Sequence, residues 1–101
     1  NTPTKKMKSS DGNYMVEYAI KDRDMILAPR LSNATEKTGT VVVEVLVNRA
    51  GTVLKAKSGV TGSTTSDEYL LTKAEFACKG AQFNEHPKGP LETKGTITIH
   101  Y

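Results

Sequence analysis

The 101-residue chain contains one cysteine, no tryptophan and two histidines. A single cysteine excludes an internal disulfide framework and any zinc site built on several thiolates. No apolar run approaches the ~20 residues that a membrane-spanning helix requires. Charge of one sign is also scarce, because 14 Lys and Arg against 11 Asp and Glu leave a net +3. That balance is too weak to argue for nucleic acid, the more so because Lys5, Lys6 and Lys8 crowd one short N-terminal segment. The chain opens on Asn1 with neither an initiator Met nor a signal peptide, as expected for a piece of a longer protein. Stability must therefore rest on packing. A chain of this length buries roughly two-thirds of its unfolded surface, enough for one hydrophobic core and too little for two.

Residues 1–12 are polar, basic and without period, and they read as a flexible linker remnant ahead of one domain, 13–101. Tyr14 to Ile20 alternates loosely, as a short edge strand would, and Asp22-Arg23-Asp24 breaks it. Met15, Val16, Tyr18 and Ile20 are expected to cover an open face or edge of the sheet. From Gly39 the pattern sharpens. Thr40 to Asn48 is dense in β-branched residues, with Val41, Val43, Val45 and Val47 on one face at period 2. Asn48-Arg49-Ala50-Gly51 is a hairpin turn, and Thr52 to Ser58 returns with Leu54 and Ala56 opposite Val53, Lys55 and Lys57. Thr65 and Glu68 fit a capping box at the start of a helix over about 66–82, whose inner stripe is Leu70, Ala74, Ala77 and Ala81. Leu71 and Cys78 flank that stripe. Residues 84–94, with Pro87, Gly89 and Pro90, read as a loop, and Gly95 to Tyr101 as a final strand. The order strand, strand, helix, strand predicts an α+β layer: a small antiparallel sheet of about three strands with one helix on one face.

No constellation rises to an enzyme. His86 and His100 have no carboxylate or cysteine at ligand spacing, and Cys78 belongs to the apolar stripe of the helix, where it acts as a small hydrophobe. Glu17, Asp22 and Asp24 are interleaved with Lys21 and Arg23 and follow no calcium-loop spacing. The run Gly59 to Thr64 lacks the lysine ending of a phosphate loop, and Asn33-Ala34-Thr35 is a common sequon. No catalytic residue, metal or cofactor is expected.

The run from Thr38 to Leu71, then KAEFACKGAQFN and the closing KGTITIHY, resembles the C-terminal domain of TonB-family energy transducers, in the variant of gut anaerobic Gram-negatives. Gly39, Val41, Val43, Val47, Gly51, Val53, Leu70, Leu71, Ala74, Ala77, Ala81, Phe83, Asn84 and Gly95 occupy the places of that pattern, over about 28–101. Ala28-Pro29-Arg30 stands where the family often has Tyr-Pro, and Glu85-His86-Pro87 replaces a simpler exit from the helix.

The resemblance implies a periplasmic domain, held in the full-length protein by an inner-membrane anchor that associates with ExbB and ExbD. Such a domain grips the TonB box, a short peptide of an outer-membrane transporter, and passes on pull derived from the proton-motive force. An extended peptide adds to an exposed sheet edge through main-chain hydrogen bonds. By family analogy the receiving edge is the last strand, Gly95, Thr96, Ile97, Thr98, Ile99 and His100, with Pro29 and Arg30 as a secondary contact. The same domain could instead serve a sensor or scaffold of the envelope, and a small enzyme or inhibitor on this layer is a third reading. An unpaired edge would also allow a homodimer.

Overall fold

The computed structural model describes residues 4–8, 14–21, 23–29, 39–60, 63–64 and 67–101. In chain order they form β1 (Lys5–Lys8), β2 (Met15–Ile20), β3 (Met25–Leu27), β4 (Thr40–Asn48), β5 (Val53–Ser58), α1 (Glu68–Lys79), β6 (Gln82–Phe83) and β7 (Glu92–His100). The five-stranded sheet runs β1-β2-β7-β4-β5, and β3 pairs with β6 in a small second sheet. All described pairings are antiparallel. The expected α+β class, antiparallel sheet and helix on one face are present.

The alternation in β4 makes it the frame of the core. Val41, Val43, Val45 and Val47 are buried, and they meet Ile99, Ile97, Gly95 and Thr93 of β7 across the ladder. Each such aliphatic side chain contributes about 1.5–3 kcal/mol when removed from water. Against this face lies α1, through Leu70, Ala74, Ala77 and Cys78. The alanines keep the inner side of the helix thin, so its axis can approach the valines. Ser58 fixes the helix laterally, its amide and hydroxyl both donating to Glu75 Oε2 at 3.3 and 3.0 Å.

Helix α1 is shorter at both ends than the expected 66–82. Its N-cap is Asp67, whose Oδ1 accepts from the amides of Tyr69 and Leu70 at 2.9 and 3.4 Å. The expected cap, Thr65, lies outside the described residues. Gly80 ends the helix, and Phe83 is drawn into β6, its amide donating to the Gly51 carbonyl at 2.9 Å. The turn before it needs Gly51, because φ is +91° there and a Cβ would overlap the Phe83 carbonyl oxygen. In β5 the faces also differ from the expected alternation. A register shift skips Leu54, so Val53 turns inward with Val47 and Leu54 is left 45% exposed.

The largest correction concerns the N-terminal third. Residues 5–8 stand within the expected linker, yet they pair as β1 with β2 through Lys5–Tyr18 and Met7–Val16. Strand β2 is not an edge strand but lies between β1 and β7, with Val16, Tyr18 and Ile20 in the core. The Tyr18 ring meets Phe83 edge-on at 5.8 Å, which joins β2 to the end of the helix. Among the described residues the main sheet therefore has five strands where about three were expected.

Candidate functional site

Gly95 to His100, the expected docking edge, is not an edge. The β7 segment 95–100 pairs with β2 on one side, from Ile20 opposite Gly95 to Met15 opposite His100. On the other side it pairs with β4 over its whole length. Gly95 is shaped for this neighbour, because a Cβ there would sit 2.6 Å from Ile20 Cβ and 2.9 Å from the Ala19 carbonyl oxygen. The expectation fails because the alternation of Tyr14 to Ile20 marks its faces and not the strand it joins, which is β7. Pro29, expected as a secondary contact, is fully buried, and Arg30 lies outside the described residues.

The ends of the described sheet are β1 and β5. They differ in how their charges are used. Lys5 in β1 is bonded to Asp24, and Lys6 lies 3.5 Å from Glu17. Lys55 and Lys57 in β5 make no ion pair with any described residue. A cavity of about 380 Å³ opens over the β4–β5 part of the sheet, lined by Glu44, Leu46, Leu54, Lys55, Lys57 and Lys94, with Lys79 reaching it from the end of α1. Leu46 and Leu54 give this lining its apolar part, and four lysines give it positive charge. Glu44 is the acid in this lining, and it pairs with Lys94 at 3.7 Å.

Backbone parity shows which groups of β5 face outward. The Ser58 amide donates to Glu75 rather than to β4, so Ser58 points away from the sheet. Period 2 turns the Ala56 amide and carbonyl the same way. The neighbouring rim of β4 is closed differently. Thr64 Oγ1 accepts from the Thr40 amide at 2.8 Å, Ser63 Oγ accepts from the Val42 amide at 2.9 Å, and the Thr64 amide donates to the Thr40 carbonyl. Ser63 and Thr64 thus seal the edge of β4 beyond the reach of β5. Among the described residues, what stays open is a short stretch, Leu54 to Lys57, centred on the outward Ala56 amide and carbonyl. Alternating lysines in this strand were visible in the sequence, but the pairing that leaves them on the outside was not.

Two titratable groups complete the picture. Cys78 is buried, and burial, with a smaller contribution from the charge of Glu75, pushes its thiol up to about 12. It is protonated and out of reach, unlike a nucleophile. His100 is not isolated, since Nε2 lies 3.2 Å from Glu17 Oε2 and Nδ1 lies 3.3 Å from Thr40 Oγ1. The hydrogen bond with His100 holds the Glu17 carboxyl below the usual carboxylate range, helped by the charges of His100 and Lys6. These contacts tie β2 to β7 on the face away from the helix. Comparison with protein-family models, with curated proteins and with solved structures finds no match.

Proposed function

We propose that this chain is the peptide-gripping domain of a TonB-type energy transducer. It acts in the periplasm, joined in the full-length protein to an inner-membrane anchor that works with ExbB and ExbD. It binds the TonB box of an outer-membrane transporter as an added strand and passes on a pull for nutrient import. The sequence pattern from Gly39 to Tyr101 supports the family, and the observation that carries peptide binding is the outward Ala56 amide and carbonyl on the end strand of the described sheet. A laterally paired peptide loads its hydrogen bonds in shear, the geometry a pulling adaptor needs. The receiving edge in this reading is β5, because β7 is occupied on both sides.

The test is a titration of the isotope-labelled domain with the N-terminal peptide of an outer-membrane transporter. Amide shifts should cluster on 54–58. Ala56→Pro should abolish them while leaving the fold, since the donor it deletes faces away from β4. A peptide that shifts no amide of the domain would overturn the reading.

A further inference from the structure

We infer that the β5 edge selects extended peptides carrying acidic side chains at alternate positions, the acids facing Lys55 and Lys57. The inference rests on the strand-addition reading and adds the chemistry of the partner. Register supplies the geometry. One cross-strand row runs Lys94, Leu46, Lys55, and the next runs Thr96, Glu44, Lys57. A strand added beyond β5 continues both rows, so two of its residues, two positions apart, stand beside Lys55 and Lys57. Directly opposed side chains in such rows have Cβ atoms about 4.5–5.5 Å apart, within reach of an ion pair.

The charges on the two rows are incomplete without such a partner. Glu44 is engaged by Lys94, so Lys55, Lys57 and Lys79 contribute positive charge around the cavity with no ion pair to a described residue. The peptide residue between the two acids would point to the helix side, beside the small, half-buried Ala56. The pattern that matches is an acid at every second position. Main chain alone cannot hold a peptide tightly on so short an edge, because Ser58 has its amide taken by Glu75 and Leu54 sits in the register shift. Charge complementarity therefore decides which extended segment is retained, and a basic segment is repelled.

Three synthetic hexapeptides test this against the labelled domain: alternating Val-Glu, alternating Val-Gln and alternating Val-Lys. The Val-Glu peptide should shift amides 54–58 and bind about tenfold tighter than Val-Gln at low salt, with the advantage shrinking as salt is raised. The double substitution Lys55→Glu and Lys57→Glu, on exposed side chains, should reverse the order in favour of Val-Lys. Should that variant lose its fold, Lys55→Gln with Lys57→Gln should erase the preference for Val-Glu. Equal binding of Val-Glu and Val-Gln at the same amides would overturn the charge inference while leaving strand addition standing. Failure of all three peptides to move 54–58 would overturn both.

Discussion

The segment from β4 to β7 and the segment from β1 to β3 belong to one hydrophobic core, yet they are written in the sequence very differently. In the first, four valines alternate along nine residues and a helix follows with its alanines on one side. In the second, the buried apolar residues are Val16, Tyr18, Ile20 and Met25, set among charges and split over two short strands. Local periodicity reports on a strand's faces. It does not report its neighbours, and in this protein the neighbours decide which edges remain free.

Breaking the pairing between the two regions should have the largest effect. Gly95→Val puts a branched side chain where Ile20 and the Ala19 carbonyl already stand. We expect a loss of about 2–4 kcal/mol in urea unfolding, because the backbone of β2 cannot yield without leaving β7. Tyr18→Ala should cost about 3 kcal/mol, comparable to Val43→Ala or slightly more, although the strands look so unequal in sequence. If Tyr18→Ala were nearly silent, β2 would not be part of the same cooperative unit. Removal of residues 1–8 should cost less, about 1 kcal/mol, since Met7 is the apolar contact that β1 brings to the core.

Arg23 sharpens the comparison from within the N-terminal region. It is 2% exposed, its Nη1 donates to the Asn84 carbonyl at 3.2 Å, and Nε and Nη2 have no hydrogen-bond partner among the described residues. A buried guanidinium satisfied so incompletely is held at a cost. Arg23→Met, which keeps most of the length without the charge, should leave stability within about 1 kcal/mol of the parent or raise it. A large loss would show that the charge itself holds the β2–β3 connection.

The smallest effect concerns pH. Glu17 has a lowered folded pKa, so its contribution is present above the ordinary carboxylate pKa of about 4.3 and is lost as pH falls through the folded value. Glu17→Gln should flatten the acid limb of a melting-temperature profile and change little near neutrality, as befits a pair open to solvent. An unchanged acid limb would mean that this contact does not report on the β2–β7 pairing. Cys78 gives a parallel readout in the other region: thiol labelling should be slow in the folded protein and fast in urea.

Much of the fold was legible where a residue's role is set by its own neighbours in sequence. The valine alternation of β4, the turn at Gly51 and the helical positions Leu70, Ala74 and Ala77 lie where the pattern placed them, while Ala81, expected on the same stripe, is buried beyond the end of α1. The candidate site was not legible, for a physical reason. An edge is defined by what does not pair with it, and β2 meets β7 across some 80 residues of chain through a glycine whose significance lies in the approach of Ile20. Of the two places that Met15, Val16, Tyr18 and Ile20 were expected to cover, an open face or an edge, it is the edge of β7 that β2 covers.

Native-state hydrogen exchange along β7 tests the central claim most directly. Tyr101 donates to Gly39 across the β4 side, so Ile97 and Ile99 share that direction while Thr96 and Thr98 face β2. If β2 is an integral neighbour, the amides of Thr96 and Thr98 should exchange as slowly as those of Ile97 and Ile99, all through global unfolding. Fast exchange at Thr96 and Thr98 alone, with Ile97 and Ile99 still protected, would mean that β2 leaves while β4 stays, and would return the docking edge from β5 to β7.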